Sequence, residues 1–190
     1  MKTSLFLTLL TLLTAPLLSA GEFNPENIPS DAQWYLHADV EKLRETTTGK
    51  TIITALKKEH GQKLADAEIF LGFDLIRDLA DVSLFGNGEK DNAAIIIQGE
   101  INRRHLEETI VDADQYQTDL YQGATIHRWH DKGKNQNAAF HGDTLVVVSE
   151  KLELVKLALD VFAKRKAHLD TSTTFPGGAV MAGTANIESL

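Results

Sequence analysis

The sequence predicts an α+β fold: a mostly antiparallel sheet with helices packed on one face, forming the first copy of a duplicated unit. Three observations predict it. Short apolar or aromatic runs follow one another through tight turns, notably Gln122-Gly123 and Gly142-Asp143, as hairpin strands do. Between them lie stretches whose apolar residues recur at helical spacing, such as Leu152, Val155, Leu159 and Phe162, opened by residues suited to capping. The last fifteen residues then return to the pattern of residues 29–43.

The first twenty residues read as an address. Met1 and Lys2 give a short positive start, Leu5 to Leu18 follow without a charge, and Ser19-Ala20 supply small residues ahead of Gly21 and Glu22. This is the layout of a secretory signal peptide, with cleavage expected after Ala20 or Gly21. The apolar run is shorter than the roughly 20 residues of a membrane span and contains Pro16. With no cysteine in the chain, a lipid anchor is excluded. No stable membrane anchor is therefore expected after signal removal, and the expected location is periplasmic or extracellular.

Residues 21–28, which hold Pro25 and lack periodicity, read as a leader to an α+β domain over 29–175. Gln33 to Ala38 forms the first strand, and Asp39 caps the helix that follows, with Glu41 at the positive end of its dipole. From Thr48 to Leu71 a long helix is predicted, weakened at Gly61. Residues 71–79 read as a turn and a short helix. Val82 to Phe85 leads through the glycine-rich 86–92 to AAIIIQG (93–99), an uninterrupted apolar run predicted to be buried on both faces. Asn102 caps a helix from Arg103 to Val111. Strands over 115–121 and 124–130 meet at Gln122-Gly123. A turn at 131–135 precedes strands 137–141 and 144–149, which flank a two-residue type II′ hairpin at Gly142-Asp143. Ser149 caps the last long helix, whose end carries the bases of AKRKAH (163–168). Residues 170–178 read as a linker.

The end of the chain repeats its beginning. PSDAQWYLHADVEKL (29–43) and PGGAVMAGTANIESL (176–190) align without a gap at an offset of 147. Pro29/Pro176, Ala32/Ala179, Ala38/Ala185, Glu41/Glu188 and Leu43/Leu190 are identical, and Asp39 matches Asn186, another good cap. Residues 176–190 are thus expected to start a second repeat, with a strand over Ala179 to Ala185 and a helix cap at Asn186. The chain would stop within the first turn of that copy, so the natural product is expected to be longer. An incomplete copy would leave the final strand an open edge, prone to self-association or fraying.

WYLHADVEKLRET, LGFDLIRDLADVSLFG and GAVMAGTANIESL resemble a group of uncharacterised exported bacterial proteins, a domain of unknown function built from two such α+β halves. The resemblance covers nearly all of residues 29–190. It implies export and a duplicated fold, and it brings no activity and no site residues.

Composition narrows the function further. The 190 residues carry 19 Lys+Arg against 27 Asp+Glu, a formal −8 that becomes −9 once the signal peptide is removed. That balance argues against a nucleic-acid partner. The basic clusters at 103–105 and 164–166 read as solvated helix ends. Gly49-Lys50-Thr51 is only the tail of a phosphate-binding loop, with Arg44 where the motif needs glycine. Ser83, Ser149 and Ser172 lack the Gly-x-Ser-x-Gly setting of a hydrolase. The acid pair Asp112 and Asp114 has no apolar surround to raise a pKa. Trp34, Tyr35 and Trp129 serve the core better than a ligand platform. His37, His127, His130 and His141, with Asp39 or Asp143, are the only candidates for metal or acid–base chemistry. Their spacing is unfavourable, since His127 and His130 fall on opposite sides of a strand. No catalytic, metal or cofactor residue is assigned. The reading is an exported envelope protein, a non-enzymatic binding or scaffold module. The alternative is a metal-assisted or acid–base hydrolase using the strand histidines.

Overall fold

The computed structural model describes residues 22–175 and 179–185. The strands are β1 (Trp34–Asp39), β2 (Leu79–Gly86), β3 (Ala93–Gly99), β4 (Gln117–Tyr121), β5 (Ala124–Asp131), β6 (Lys134–His141), β7 (Leu145–Ser149) and β8 (Met181–Ala185). The helices are α1 (Val40–Glu45), α2 (Thr47–Leu71), α3 (Arg103–Val111) and α4 (Leu152–Phe162). All eight strands form one sheet in the order β4-β5-β6-β7-β3-β2-β1-β8. Every pairing is antiparallel. The α+β class and the antiparallel sheet are as the sequence predicts.

The helices divide between the faces. The alternation of side chains along each strand sends Ala94, Ile96 and Val147 to one side and Ile97, Val146 and Val148 to the other. The first set packs with Val155, Ala158 and Leu159 of α4. The second packs with Val40, Leu71 and Leu106 of α1, α2 and α3. One-face packing thus holds for three helices, while α4 covers the opposite face. Its amphipathic stripe is placed there because β7 ends only two residues before α4 starts.

Local chemistry accounts for the element ends. Asp39 Oδ1 accepts from the Lys42 N–H (2.7 Å) and Asn102 Oδ1 from the His105 N–H (3.2 Å), so both expected caps form. Thr46 caps α2 through the Gly49 N–H (2.9 Å), which gives the glycine of the apparent phosphate-loop tail a structural task. The weak point of α2 is His60, at φ −129°, beside the expected Gly61. Arg44 of α1 donates to Ile76 O (2.8 Å) and Leu79 O (2.6 Å), tying the helix corner to the start of β2.

Several expectations change. The short helix expected near 71–79 does not form, because Asp74 Oδ1 accepts from Ile76 and Arg77 N–H groups (2.7 and 3.0 Å) and holds a turn instead. Strand β3 is not buried on both faces throughout: Ile95 is 38% exposed. Ser149 does not cap α4. Its hydroxyl donates to Ala93 O (2.7 Å) and accepts from the Lys151 N–H (3.0 Å) ahead of the helix, which starts at Leu152 with no side-chain cap. The segment read as a leader is built in, with Phe23 and Ile28 in the core and Ile28 O accepting from the Leu169 N–H (2.9 Å). The signal-peptide residues and the expected cap at Asn186 lie outside the described residues.

Three hairpins join β4 to β7. Gln122-Gly123 and Lys132-Gly133 have positive φ at both positions, as a type I′ turn requires. The third is a three-residue loop rather than the expected two-residue turn, since His141 pairs with Leu145. On the other side, the Thr144 carbonyl accepts from the Gly99 N–H (3.0 Å), which continues the β3–β7 register one residue beyond Gln98 and Leu145. Gly142 has φ 66°, as the sequence led one to expect of this position. Gly142→Val should therefore destabilise the fold by about 1–3 kcal/mol, since a branched side chain is strained in that region. Asp143→Ala should change stability by less than about 0.5 kcal/mol. Urea unfolding of the two variants checks the order.

Candidate functional site

The strand histidines do not come together. His37 lies on β1 and His127 and His130 on β5, with β2, β3, β7 and β6 in between. His141 ends β6 and stacks near Phe162 (5.3 Å). His130 Nδ1 is 3.3 Å from Asn135 Oδ1. Asp39 is engaged as a cap, and Asp143 approaches Arg103 only at 4.0 Å. No group of three potential ligands converges among the described residues. Tyr35 lies on the α4 face whereas Trp34 and Trp129 lie on the other, so the three aromatics form no platform.

Two buried polar stations exist instead. On the α4 face, the β1–β2 register sets His37 opposite Ser83 and Asp39 opposite Asp81. His37 Nδ1 is 2.9 Å from Ser83 Oγ and 3.9 Å from Asp81 Oδ1. Phe23 and Phe175 close over the ring at 5.3 and 6.1 Å, leaving His37 only 4% exposed. Serine and carboxylate approach the same ring nitrogen, whereas a nucleophilic relay needs them on opposite nitrogens and an open approach. On the other face, His127 Nδ1 meets Tyr116 Oη at 3.0 Å, and its Nε2 is 3.7 Å from Glu107 with no hydrogen-bond partner among the described residues. Burial, aided by Arg103, pushes the His127 pKa down against the pull of Glu107. Both stations are sealed from substrate. The sequence hinted at the first through polar Asp81 and Ser83 alternating with apolar Val82 and Leu84, but only the register shows that they meet His37.

A depression of about 500 Å³ lies where α1 meets the ends of β2 and β3 and is lined by Glu41, Arg44, Arg77 and Asp78 among others. Its cations are already engaged. Arg44 holds two carbonyls, and Arg77 grips Asp78 through two hydrogen bonds of 2.6 and 2.8 Å.

A feature with unmet bonding capacity is the edge formed by β8. Asp39 donates its N–H to Val180 O (2.9 Å). The alternation of an antiparallel ladder then directs the backbone groups of Tyr35, His37, Ala182 and Thr184 into the β1–β8 seam. The groups of Met181, Gly183 and Ala185 point outward, and β8 has no strand on that side among the described residues. Met181 is 62% exposed. Gly183 is fitted to its place: a Cβ there would lie 2.7 Å from Tyr35 O and 3.0 Å from Leu36 Cδ1.

No family model and no curated protein matches the chain. Among solved structures, crystal forms III, IV and I of TP0453 are similar at a TM-score of 0.49 and 12, 11 and 11% identity. The matches cover 78, 82 and 85% of this chain and 54, 57 and 62% of TP0453. The chain thus spans less than two thirds of the length of that protein.

Two outcomes are expected. Burial, with the Asp39 charge adding to it, pushes the Asp81 pKa up from 3.8 to about 7. The folded chain therefore binds this proton more tightly than the unfolded one. Its contribution is whole below about pH 4 and is lost as pH rises through about 7. The unfolding free energy from urea titration should fall across that window by on the order of a few kcal/mol, and Asp81→Asn should flatten the slope. Separately, Gly183→Val should detach β8. Hydrogen exchange at the Tyr35, His37 and Asp39 amides would then accelerate while the β3 and β7 amides keep their protection.

Proposed function

We propose that this is an exported envelope protein that works as a non-enzymatic binding or scaffold module, and that the outer edge of β8 is its working surface. The carrying observation is the contrast between the two ends of the sheet. The β4 edge also exposes Leu120, but it bears Gln117, Thr118 and Asp119 before it, with Asp119 ion-paired to Arg128 at 2.8 Å. Polar and charged side chains of this kind guard an edge against pairing. Strand β8 (MAGTA) carries no charge and no proline. Export is supported by the pattern of residues 1–20, and duplication by the recurrence of 29–43 at 176–190. The burial of His37 and His127 supports the module reading over the hydrolase alternative.

Two measurements test this reading. Protein recovered from a bacterial host should begin at Gly21 or Glu22; an intact Met1 on cytoplasmic protein would refute export. In sedimentation equilibrium the mature chain should self-associate as concentration rises, and Thr184→Lys should weaken that association, since lysine blunts an edge. A chain that stays monomeric, with or without the lysine, counts against β8 as a pairing surface.

A further inference from the structure

The register of β8 on β1 carries more than an open edge. The repeat equates Trp34 with Met181, Leu36 with Gly183 and Ala38 with Ala185. The structure pairs Trp34 with Ala185, Leu36 with Gly183 and Ala38 with Met181. Passed through the repeat, each pair becomes another pair of the same ladder, Trp34–Ala185 becoming Ala38–Met181. This register sets equivalent residues directly opposite each other at Leu36 and Gly183. It also keeps equivalent residues on the same face of the sheet, which a one-residue slip would not. The repeat and the strand pairing together place a pseudo-two-fold axis through that pair.

The hydrogen-bonding directions agree as well. Leu36 and Ala38 direct their backbone groups to β2, opposite Leu84 and Val82. Their equivalents, Gly183 and Ala185, direct theirs to the open side. We propose that β8 is the β1-equivalent strand of a second copy of this α+β unit, and that its outer edge receives that copy's β2-type strand. The two units then share one continuous antiparallel sheet across the Leu36–Gly183 axis. This rests on the reading of the β8 edge as an interaction surface and names its partner.

The proposal fixes a register. His37 lies opposite Ser83 across β1 and β2, and the equivalent of His37 is Thr184. A docked β2-type strand therefore sets its Ser83 position opposite Thr184, in a pair without mutual backbone bonds, where side chains approach most closely. The chain has no cysteine, so a disulfide can report this contact cleanly. The experiment uses the full chain carrying Thr184→Cys and a synthetic peptide of residues 77–88 carrying Ser83→Cys, in a glutathione buffer. The mixed disulfide should form. It should be lost when the peptide cysteine is moved to Leu84→Cys, which points to the opposite face, and lost when the chain also carries Ala185→Pro, which removes an outward N–H. Equal capture of the Leu84→Cys peptide, or of a β4 peptide of residues 115–123 carrying Asp119→Cys, overturns the second-copy assignment and leaves the β8 edge a general pairing surface. Failure to capture any peptide on a chain with unchanged thermal unfolding overturns the edge reading itself.

Discussion

The fold depends on one non-local pairing, that of β3 with β7. From β4 onward the chain reaches β7 through three short hairpins, and β2 reaches β3 through a local loop. Within the sheet, the ladder of Ile95, Ile96 and Ile97 against Val148, Val147 and Val146 is the strand pairing that joins β1–β3 to β4–β7. Its side chains alternate between two cores. Ile96 and Val147 are sealed under α4 beside Val155 and Ala158, and Val146 lies beneath α3 beside Leu106 and Phe140. Burying one such branched side chain is worth about 1.5–3 kcal/mol, and the seam buries several from both faces at once.

That seam also explains why the helices divide. The chain leaves β3 at the middle of the sheet and must reach the far edge to start β4, so α3 crosses one face. It leaves β7 beside β3 and returns toward the N-terminal strands by the other face, along α4. Each face thus gains its own core and its own polar station. His37, Ser83 and Asp81 sit beneath Phe23 and Phe175 on the α4 side, and His127, Tyr116 and Glu107 beneath α3 on the other. Buried polar groups need partners, and in both stations a ring nitrogen finds a hydroxyl at about hydrogen-bond distance.

Much of this was legible in the sequence because it rests on local chemistry. Asp39 and Asn102 cap helices wherever the rest of the chain goes, and the stripe of α4 needs only its own period. The glycine hairpins are likewise short-range devices. The misreadings arise where a distant partner decides. Ser149 looks like a helix cap but spends its hydroxyl on Ala93 across the β3–β7 seam. Thr144 falls in the loop between β6 and β7 while its carbonyl still meets the Gly99 N–H on the β3 side. Residues 22–28 have no periodicity to betray them, and Phe23 becomes structural only once Tyr35, His37 and Phe175 surround it. The histidine stations depend on the registers of β1 with β2 and β4 with β5, which single-strand patterns do not contain.

Gly183 bears on how a symmetric pairing of this kind is made specific. Two identical β1 strands meeting about a two-fold axis would set Leu36 against Leu36 at the centre of the seam. In the β1–β8 pair the equivalent position is glycine, and the Leu36 side chain occupies the space that a Cβ on Gly183 would take. A leucine there would have to displace Leu36 and crowd Tyr35 O. The pair is therefore complementary where an identical pair would be self-obstructing. Small residues on β8 let the backbones approach, and the larger Trp34, Tyr35 and Leu36 supply the apolar cover from one side only. Such asymmetry favours β8 over a second β1 as the neighbour of this edge, and discrimination of that kind comes from obstruction of the wrong partner as much as from contacts with the right one. It sends the open bonding groups outward from β8, where no bulky residue but Met181 stands in the way of a further strand.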